Sequence, residues 1–130
     1  MFVITPIQDK ALQAHYCQIC KIPYLPHTMA YQAILNDEFA AICQFELKKD
    51  YGYIHHLCPV PGVEDFEMMF IMGRSVMNFI DLCEHHVCKA NVAAADKILL
   101  QAIGFRLKDD EYVADMHGMF GGCGGSCQSD

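Results

Sequence analysis

The 130-residue sequence predicts one α/β domain, in which a mixed sheet that is antiparallel in its first part carries a helix on each face. Three strand-like runs lie between residues 30 and 60, and a long amphipathic helical pattern follows them. A short strand, a second helix and a last strand then close the order. With 53% apolar residues, the chain forms one core and is too short for two ordinary domains. We predict a single domain over residues 1–116 and a Gly- and Cys-rich tail over residues 117–130.

The first predicted elements are a strand and a helix. Residues 2–5 form a short β-type run that Pro6 ends, and residues 8–21 repeat apolar side chains at helical spacing. Pro23 and Pro26 exclude a continuing helix and therefore mark either a loop or a break between two short helices.

An antiparallel meander is predicted next, because residues 30–35, 39–48 and 51–60 are rich in β-branched, aromatic and apolar side chains separated by polar turns. In the middle strand, one face carries Ala41, Cys43, Phe45 and Leu47, and the other carries Ile42, Gln44, Glu46 and Lys48. We expect the first face to lie in the core and the second to be partly exposed to water.

Two helices flank a short strand in the second half. Residues 65–84 predict an amphipathic helix of about five turns. Its apolar side carries Phe66, Met69, Gly73, Val76, Met77, Ile80 and Cys83. Residues 87–92 predict a strand, and residues 93–103 predict a second helix whose inward side chains are Ile98, Leu99, Ala102 and Ile103. Gly104 fits the left-handed position that ends a helix, and residues 111–116 predict the last strand.

Composition excludes several classes of function. The net charge of −7 comes with only nine scattered Lys and Arg residues, so we expect no nucleic-acid partner. The N-terminal residues have neither the cationic start nor the apolar run of a signal peptide, and no uncharged run is long enough to cross a bilayer. We expect a cytoplasmic protein, and therefore eight cysteines that are reduced thiols or metal ligands.

The order of elements resembles that of the GNAT superfamily of acyl-CoA N-acyltransferases over residues 2–116. The best local match is Asn91 after the short strand, Ala94 as a small residue, and the terminal pair Gly104-Phe105. The run LCPVP at residues 57–61 is similar to the fourth strand of that family where it enters a proline turn.

The resemblance implies an acyl transfer from acetyl-CoA, or another acyl-CoA, to a small-molecule or peptide amine. The coenzyme would lie between the fourth and fifth strands, with its phosphates on backbone amides. The cofactor-binding residues would be Leu57, Cys58, Val60, Gly73, Arg74, Ser75 and Asn91. The catalytic candidates are His56 and Glu46 as bases and Tyr112 as the nearest tyrosine acid.

Two positions depart from the family pattern and support a second hypothesis. Leu100 stands where the family usually has its tyrosine acid, and Pro59, which has no N–H, stands where a backbone amide would polarise the thioester. Both departures favour a non-catalytic GNAT-like module that binds a ligand, a partner or a metal.

Cysteine and histidine pairs raise the question of a metal. Cys17 and Cys20 share a helix face and, together with Cys123 and Cys127, would make a four-thiolate zinc site. Because the spacing alone is weak support, we expect no stoichiometric metal. His55-His56 lies on a predicted strand, where adjacent side chains point to opposite faces, so we expect the pair not to share one metal.

Overall fold

The structure is a computed structural model that describes residues 1–120, and seven strands and three helices lie in that range. The elements are β1 (Phe2–Ile7), α1 (Lys10–Cys20), β2 (Met29–Leu35), β3 (Glu38–Leu47), β4 (Gly52–Pro59), α2 (Phe66–Leu82), β5 (Val87–Ala90), α3 (Lys97–Ile103), β6 (Arg106–Lys108) and β7 (Glu111–Asp115). The strands form one sheet in the order β1-β2-β3-β4-β5-β7-β6, in which β4 and β5 are parallel and the other pairs are antiparallel. The predicted mixed sheet is confirmed.

Helices cover both faces of the sheet, as predicted. α2 and α3 pack on one face, where Phe45 of β3 meets Phe79 of α2 with ring centroids 5.9 Å apart. α1 packs on the other face, where Cys17 and Ile42 belong to a smaller apolar cluster. None of the helices in residues 1–120 combines the length and the hydropathy that crossing a membrane requires.

The α1 face of β3 is buried in the middle of the strand and becomes exposed after its end. Ile42 and Gln44 are fully buried beneath α1. Glu46, which lies near the end of β3, is half-buried. The predicted partly exposed face is therefore observed, because α1 covers Ile42 and Gln44 whereas Lys48 is exposed.

The strands at the two edges of the sheet also differ from the prediction. β1 continues through Pro6, which pairs with Tyr31. Because β1 lies at the edge of the sheet, no strand pairs with its outer side, and the N–H that Pro6 lacks is not needed there. At the opposite edge, β6 was not predicted, because its three residues are all exposed and give no alternating pattern. It joins β7 through Asp109 and Asp110, which both have positive φ as in a type I′ hairpin.

The apolar sides of the two later helices were partly mispredicted. Phe66 is 54% exposed and Ile98 is 64% exposed, although both were placed inward. α3 begins four residues later than predicted, at Lys97, and it buries Leu100 instead of Ala102. Both exposed residues lie in the first turn of their helix, where fewer neighbours cover them.

Gly73 lies where α2 packs against α3. A Cβ atom at this position would lie 2.5 Å from Ile103 Cδ1 and 3.4 Å from Leu57 Cδ2. We therefore expect Gly73→Ala to destabilise the protein by roughly 1–3 kcal/mol through overpacking, although alanine is the better helix former. Ile103→Val removes the clashing methyl group, so the double variant should be more stable than the sum of the two single effects. Urea denaturation of the four proteins measures this coupling, and additive effects would contradict the packing explanation.

Candidate functional site

β4 and β5 run side by side for three residue pairs and then separate. Pairing extends from Gly52 opposite Cys88 to Ile54 opposite Ala90, and the Asn91 N–H donates to the Ile54 carbonyl at 3.0 Å. Beyond this point the Leu57 N–H donates to the Ala94 carbonyl at 2.8 Å, from the loop after β5. The two strands therefore diverge at His55.

A cavity of about 370 Å³ lies beside the end of β4 and the start of α2. Its apolar wall is formed by Pro59, Val63, Phe66, Met69 and Leu99. Its remaining lining residues are acidic: Glu64, Asp65 and Asp96. Asp65 also caps α2, since its Oδ1 accepts from the Met68 N–H at 3.0 Å. An anion in this cavity would meet three carboxylates. The Met68 N–H at the start of α2 already has a partner in Asp65 and is not free to bind the anion.

A β-bulge places His55 and His56 on the same side of the sheet. The register changes from Gln44 opposite His56 to Phe45 opposite Ile54, which leaves His55 as the extra residue. His55 contacts Glu46 and His56 contacts Gln44, and both partners lie on the α1 side. The prediction that the two histidines point to opposite faces was wrong, because the bulge interrupts the strand alternation.

Glu46 is surrounded by three basic side chains. Its Oε2 lies 2.5 Å from His55 Nε2 and 3.3 Å from His27 Nε2, and its Oε1 lies 3.4 Å from Lys48 Nζ. Burial opposes ionisation of Glu46, but the hydrogen bonds and charges of His55 and Lys48 outweigh it and hold the pKa of the carboxyl below its usual value. Glu46 is therefore an anion at neutral pH. No pattern in the sequence links His27 to this group, because the contact is between distant segments of the chain.

His56 is held by a buried network around Gln44. The Gln44 Oε1 accepts from the Leu25 N–H at 3.1 Å, and its Nε2 donates to the Pro23 carbonyl at 2.9 Å, which fixes the orientation of the amide. The same Nε2 lies 2.9 Å from His56 Nδ1, which must therefore accept. Burial, with a smaller effect of His55, lowers the pKa of His56. Neutral His56 thus carries its proton on Nε2 and is a hydrogen-bond donor there, so the role of base predicted for it does not suit this tautomer.

Tyr112 is not brought together with Glu46 and His56. It lies on β7, opposite Ala90, and is 4% exposed in the core cluster on the α2 side of the sheet. The sheet itself separates it from the α1 side, where the other two catalytic candidates meet.

The three residues predicted to hold phosphates make contacts within the protein. Gly73 is the eighth residue of α2, and Arg74 Nε donates to the Ile103 carbonyl at 2.6 Å at the end of α3. Ser75 Oγ donates to the Ile71 carbonyl at 2.8 Å. All three lie inside the helix, well past the free amides of its first turn.

The predicted coenzyme contacts along β4 are largely engaged as well. The Leu57 amide binds Ala94, and the Val60 amide donates to the Ala40 carbonyl at 2.7 Å. Asn91 uses its Oδ1 to accept from the Ala93 N–H at 2.8 Å. The backbone N–H groups of Leu57 and Val60 therefore already have partners within the protein and are not free to bind a ligand.

Cys58 faces α1 and meets Cys20. Each Sγ lies 3.7 Å from the other residue's carbonyl oxygen. The thiol of Cys20 stabilises the Cys58 thiolate and lowers the pKa of Cys58 to about 7 against the effect of burial, while the pKa of Cys20 is raised. Cys17 and Cys20 share a buried face of α1, as predicted. Cys123 and Cys127, their proposed zinc-binding partners, lie outside the described residues.

Solved acetyltransferase structures share this architecture. The ribosomal-protein-S18-alanine N-acetyltransferase of Escherichia coli has a TM-score of 0.68 at 13% identity, covering 89% of this chain and 94% of that one. An N-acetyltransferase from Staphylococcus aureus Mu50 has a TM-score of 0.68 at 13% identity, covering 90% and 99%. A GNAT family acetyltransferase from Elizabethkingia anophelis with acetyl-CoA bound has a TM-score of 0.65 at 11% identity, covering 88% and 97%. No family model and no curated protein matches the sequence. The chain has the fold of the GNAT-family acetyltransferases, with a highly divergent sequence.

Proposed function

We propose that the protein is an N-acyltransferase that moves an acyl group from the thioester of acetyl-CoA, or of another acyl-CoA, to a small-molecule or peptide amine. The observation that carries the proposal is the cluster of Glu46, His55 and His56 at the point where β4 and β5 diverge. It combines an ionised carboxylate and two imidazoles within an acetyltransferase fold.

The cluster would supply a base for the amine proton and a hydrogen-bond donor for the thioester oxygen. When the Nε2–H of His55 donates to ionised Glu46, His55 Nδ1 has a free lone pair that can take the amine proton. The Nε2–H of His56 can donate to the thioester oxygen as negative charge develops there. The amine nitrogen bonds to the acyl carbon, the carbon–sulfur bond breaks, and the thiolate leaves with the electron pair.

The cavity fits one part of an acyl-CoA and not another. Its wall of Pro59, Val63, Phe66, Met69 and Leu99 suits the uncharged pantetheine arm by apolar contact. The carboxylates of Glu64, Asp65 and Asp96 do not suit a diphosphate, which would be repelled. We therefore expect a pantetheine thioester without phosphates to bind at least as tightly as the corresponding acyl-CoA.

Calorimetry with acetyl-CoA and acetyl-pantetheine on the reduced protein tests this proposal. In the double variant Glu64→Gln/Asp96→Asn, the affinity for acetyl-CoA should rise about tenfold, or about 1.4 kcal/mol, while the affinity for acetyl-pantetheine should not change. The variant Glu38→Gln/Asp50→Asn changes the net charge equally at two exposed positions and should leave both affinities unchanged. If neither thioester binds the wild-type protein at millimolar concentration, the proposal is wrong.

A ligand-binding module without catalysis is the second candidate, and two residues favour it. Leu100 is fully buried and offers no proton, and Pro59 offers no N–H at the end of β4. Binding of a thioester without any acyl transfer to a panel of amines would select this candidate.

A further inference from the structure

We propose that His27, Glu46 and His55 bind a divalent transition-metal ion, with Zn²⁺ as the best match. His27 Nε2, Glu46 Oε2 and His55 Nε2 lie within 4.8 Å of one another. The three residues come from the loop before β2, from β3 and from the bulge in β4. Their ligand atoms converge on one point from three separate segments of the chain.

A shared proton accounts for only part of this arrangement. The short contact of 2.5 Å between His55 and Glu46 is a hydrogen bond, whereas His27 Nε2 lies 3.3 Å from the same Oε2, beyond the usual range. A tetrahedral Zn²⁺ with ligand distances of about 2.0–2.1 Å separates its ligand atoms by about 3.4 Å. The pair of His27 and Glu46 already has that separation, and His55 needs to withdraw by only about 0.9 Å.

The positions of the ligands are set by the surrounding structure. The loop that carries His27 is tied to the sheet, because Gln44 binds Pro23 and Leu25, and the Thr28 hydroxyl donates to the Leu25 carbonyl at 2.7 Å. The ammonium of Lys48 contacts Oε1 of Glu46 and leaves Oε2 to the two imidazoles. Such outer contacts orient metal ligands in proteins.

The chemistry of the donors selects the ion. Two imidazole nitrogens and one carboxylate oxygen suit Zn²⁺ and neighbouring transition metals, whereas Mg²⁺ and Ca²⁺ prefer oxygen ligands throughout. The His27 side chain is 59% exposed, so an ion bound to it would be accessible from solvent. A site with three protein ligands and one open position is typical of metals that bind water or substrate.

The metal site shares Glu46 and His55 with the proposed acyl transfer, but its three ligands define it without any acyl-CoA. Zn²⁺ bound at His55 Nε2 would place the ring proton on Nδ1, so the metal-bound form would lack this base and acyl transfer would belong to the metal-free protein. Metal binding and turnover can therefore be measured separately, and the failure of one proposal does not decide the other.

Titration of the reduced protein with Zn²⁺ and Co²⁺ tests the site. We expect one ion per chain at this site. The Co²⁺ form should have no thiolate-to-cobalt charge-transfer band in its absorption spectrum. Zn²⁺ should shift the ring resonances of His27 and His55 in NMR spectra. His27→Asn, at an exposed position that should not affect folding, should lower the affinity about 100-fold or more, since even the loss of outer contacts costs 10–100-fold. His15→Asn removes an exposed histidine of α1 and should have no effect.

Three results would overturn the proposal. They are the absence of Zn²⁺ binding to the wild-type protein, equal affinity in wild type and His27→Asn, and a thiolate charge-transfer band that is unchanged by His27→Asn. The last result would assign the metal to the cysteines. Glu46→Gln, which keeps the shape of the side chain, provides a second ligand variant and should weaken binding to a similar degree.

Discussion

Gln44→Leu should reduce the free energy of unfolding by roughly 3–5 kcal/mol, because several buried polar groups would lose their partner together. The Gln44 amide binds the Leu25 N–H, the Pro23 carbonyl and the side chains of Gln13 and His56. Leucine is similar in size but makes none of these hydrogen bonds. The loop before β2, which is held only partly by Lys10 and Thr28, should also become more mobile.

Gln32→Leu is the matched control for this prediction. Gln32 lies on the neighbouring strand β2, where its Nε2 donates to Thr5 Oγ1 at 3.1 Å while its buried Oε1 has no partner in the described residues. Leucine at this position loses one hydrogen bond and removes an unpaired acceptor, so we expect a change below about 1 kcal/mol. Urea denaturation of both variants measures the difference, and equal effects would show that the Gln44 network does not stabilise the fold.

Glu46→Gln should lower kcat/KM for acyl transfer by about 100-fold, which is the smaller end of the range for general acid–base catalysis. Glutamine keeps the length of the side chain but cannot hold the Nε2–H of His55 with a charge. His55 would then be a weaker base for the amine proton, because no charge would stabilise its protonated form. Steady-state rates with a saturating thioester donor and several amines measure the effect.

Glu38→Gln is the control for this substitution, because Glu38 is an exposed carboxylate on the same strand. It should retain the full rate. A rate in Glu46→Gln that matches wild type, with the protein folded, would exclude the proposed role of Glu46 in supporting the His55 base. In that case the Cys58 thiolate or a bound water would become the next group to test.

The sequence predicted the sheet and the two helix layers because their signals are local. Alternating side chains in residues 30–60 and the apolar side of α2 depend on neighbours within a few positions, and tertiary packing agrees with them. The short β6 gives no such signal, because its three residues are exposed. Only the two aspartates of the following turn mark it in the sequence. The first turns of α2 and α3 show the same limit, since the apolar side chains of Phe66 and Ile98 remain more than half exposed.

The candidate site was predicted only in part, because it depends on one inserted residue and on long-range contacts. Glu46 and His56 were identified from their residue types, but the bulge that turns His55 to the same side cannot be read from the alternation of β4. His27 approaches Glu46 only because Gln44 anchors the intervening loop. The resemblance placed the phosphates on Gly73, whereas contact with Ile103 explains that glycine in the structure.

The two edges of the sheet bear on how the protein behaves at high concentration. β1 contains Pro6, which cannot donate a hydrogen bond to an incoming strand, and β6 has only three residues, of which Arg106 and Lys108 are charged. Short, charged or proline-containing edges discourage pairing between molecules. A chain that is more than half apolar by composition thus offers few places for strand addition, so contacts between copies in solution should involve side chains rather than a continuous intermolecular sheet.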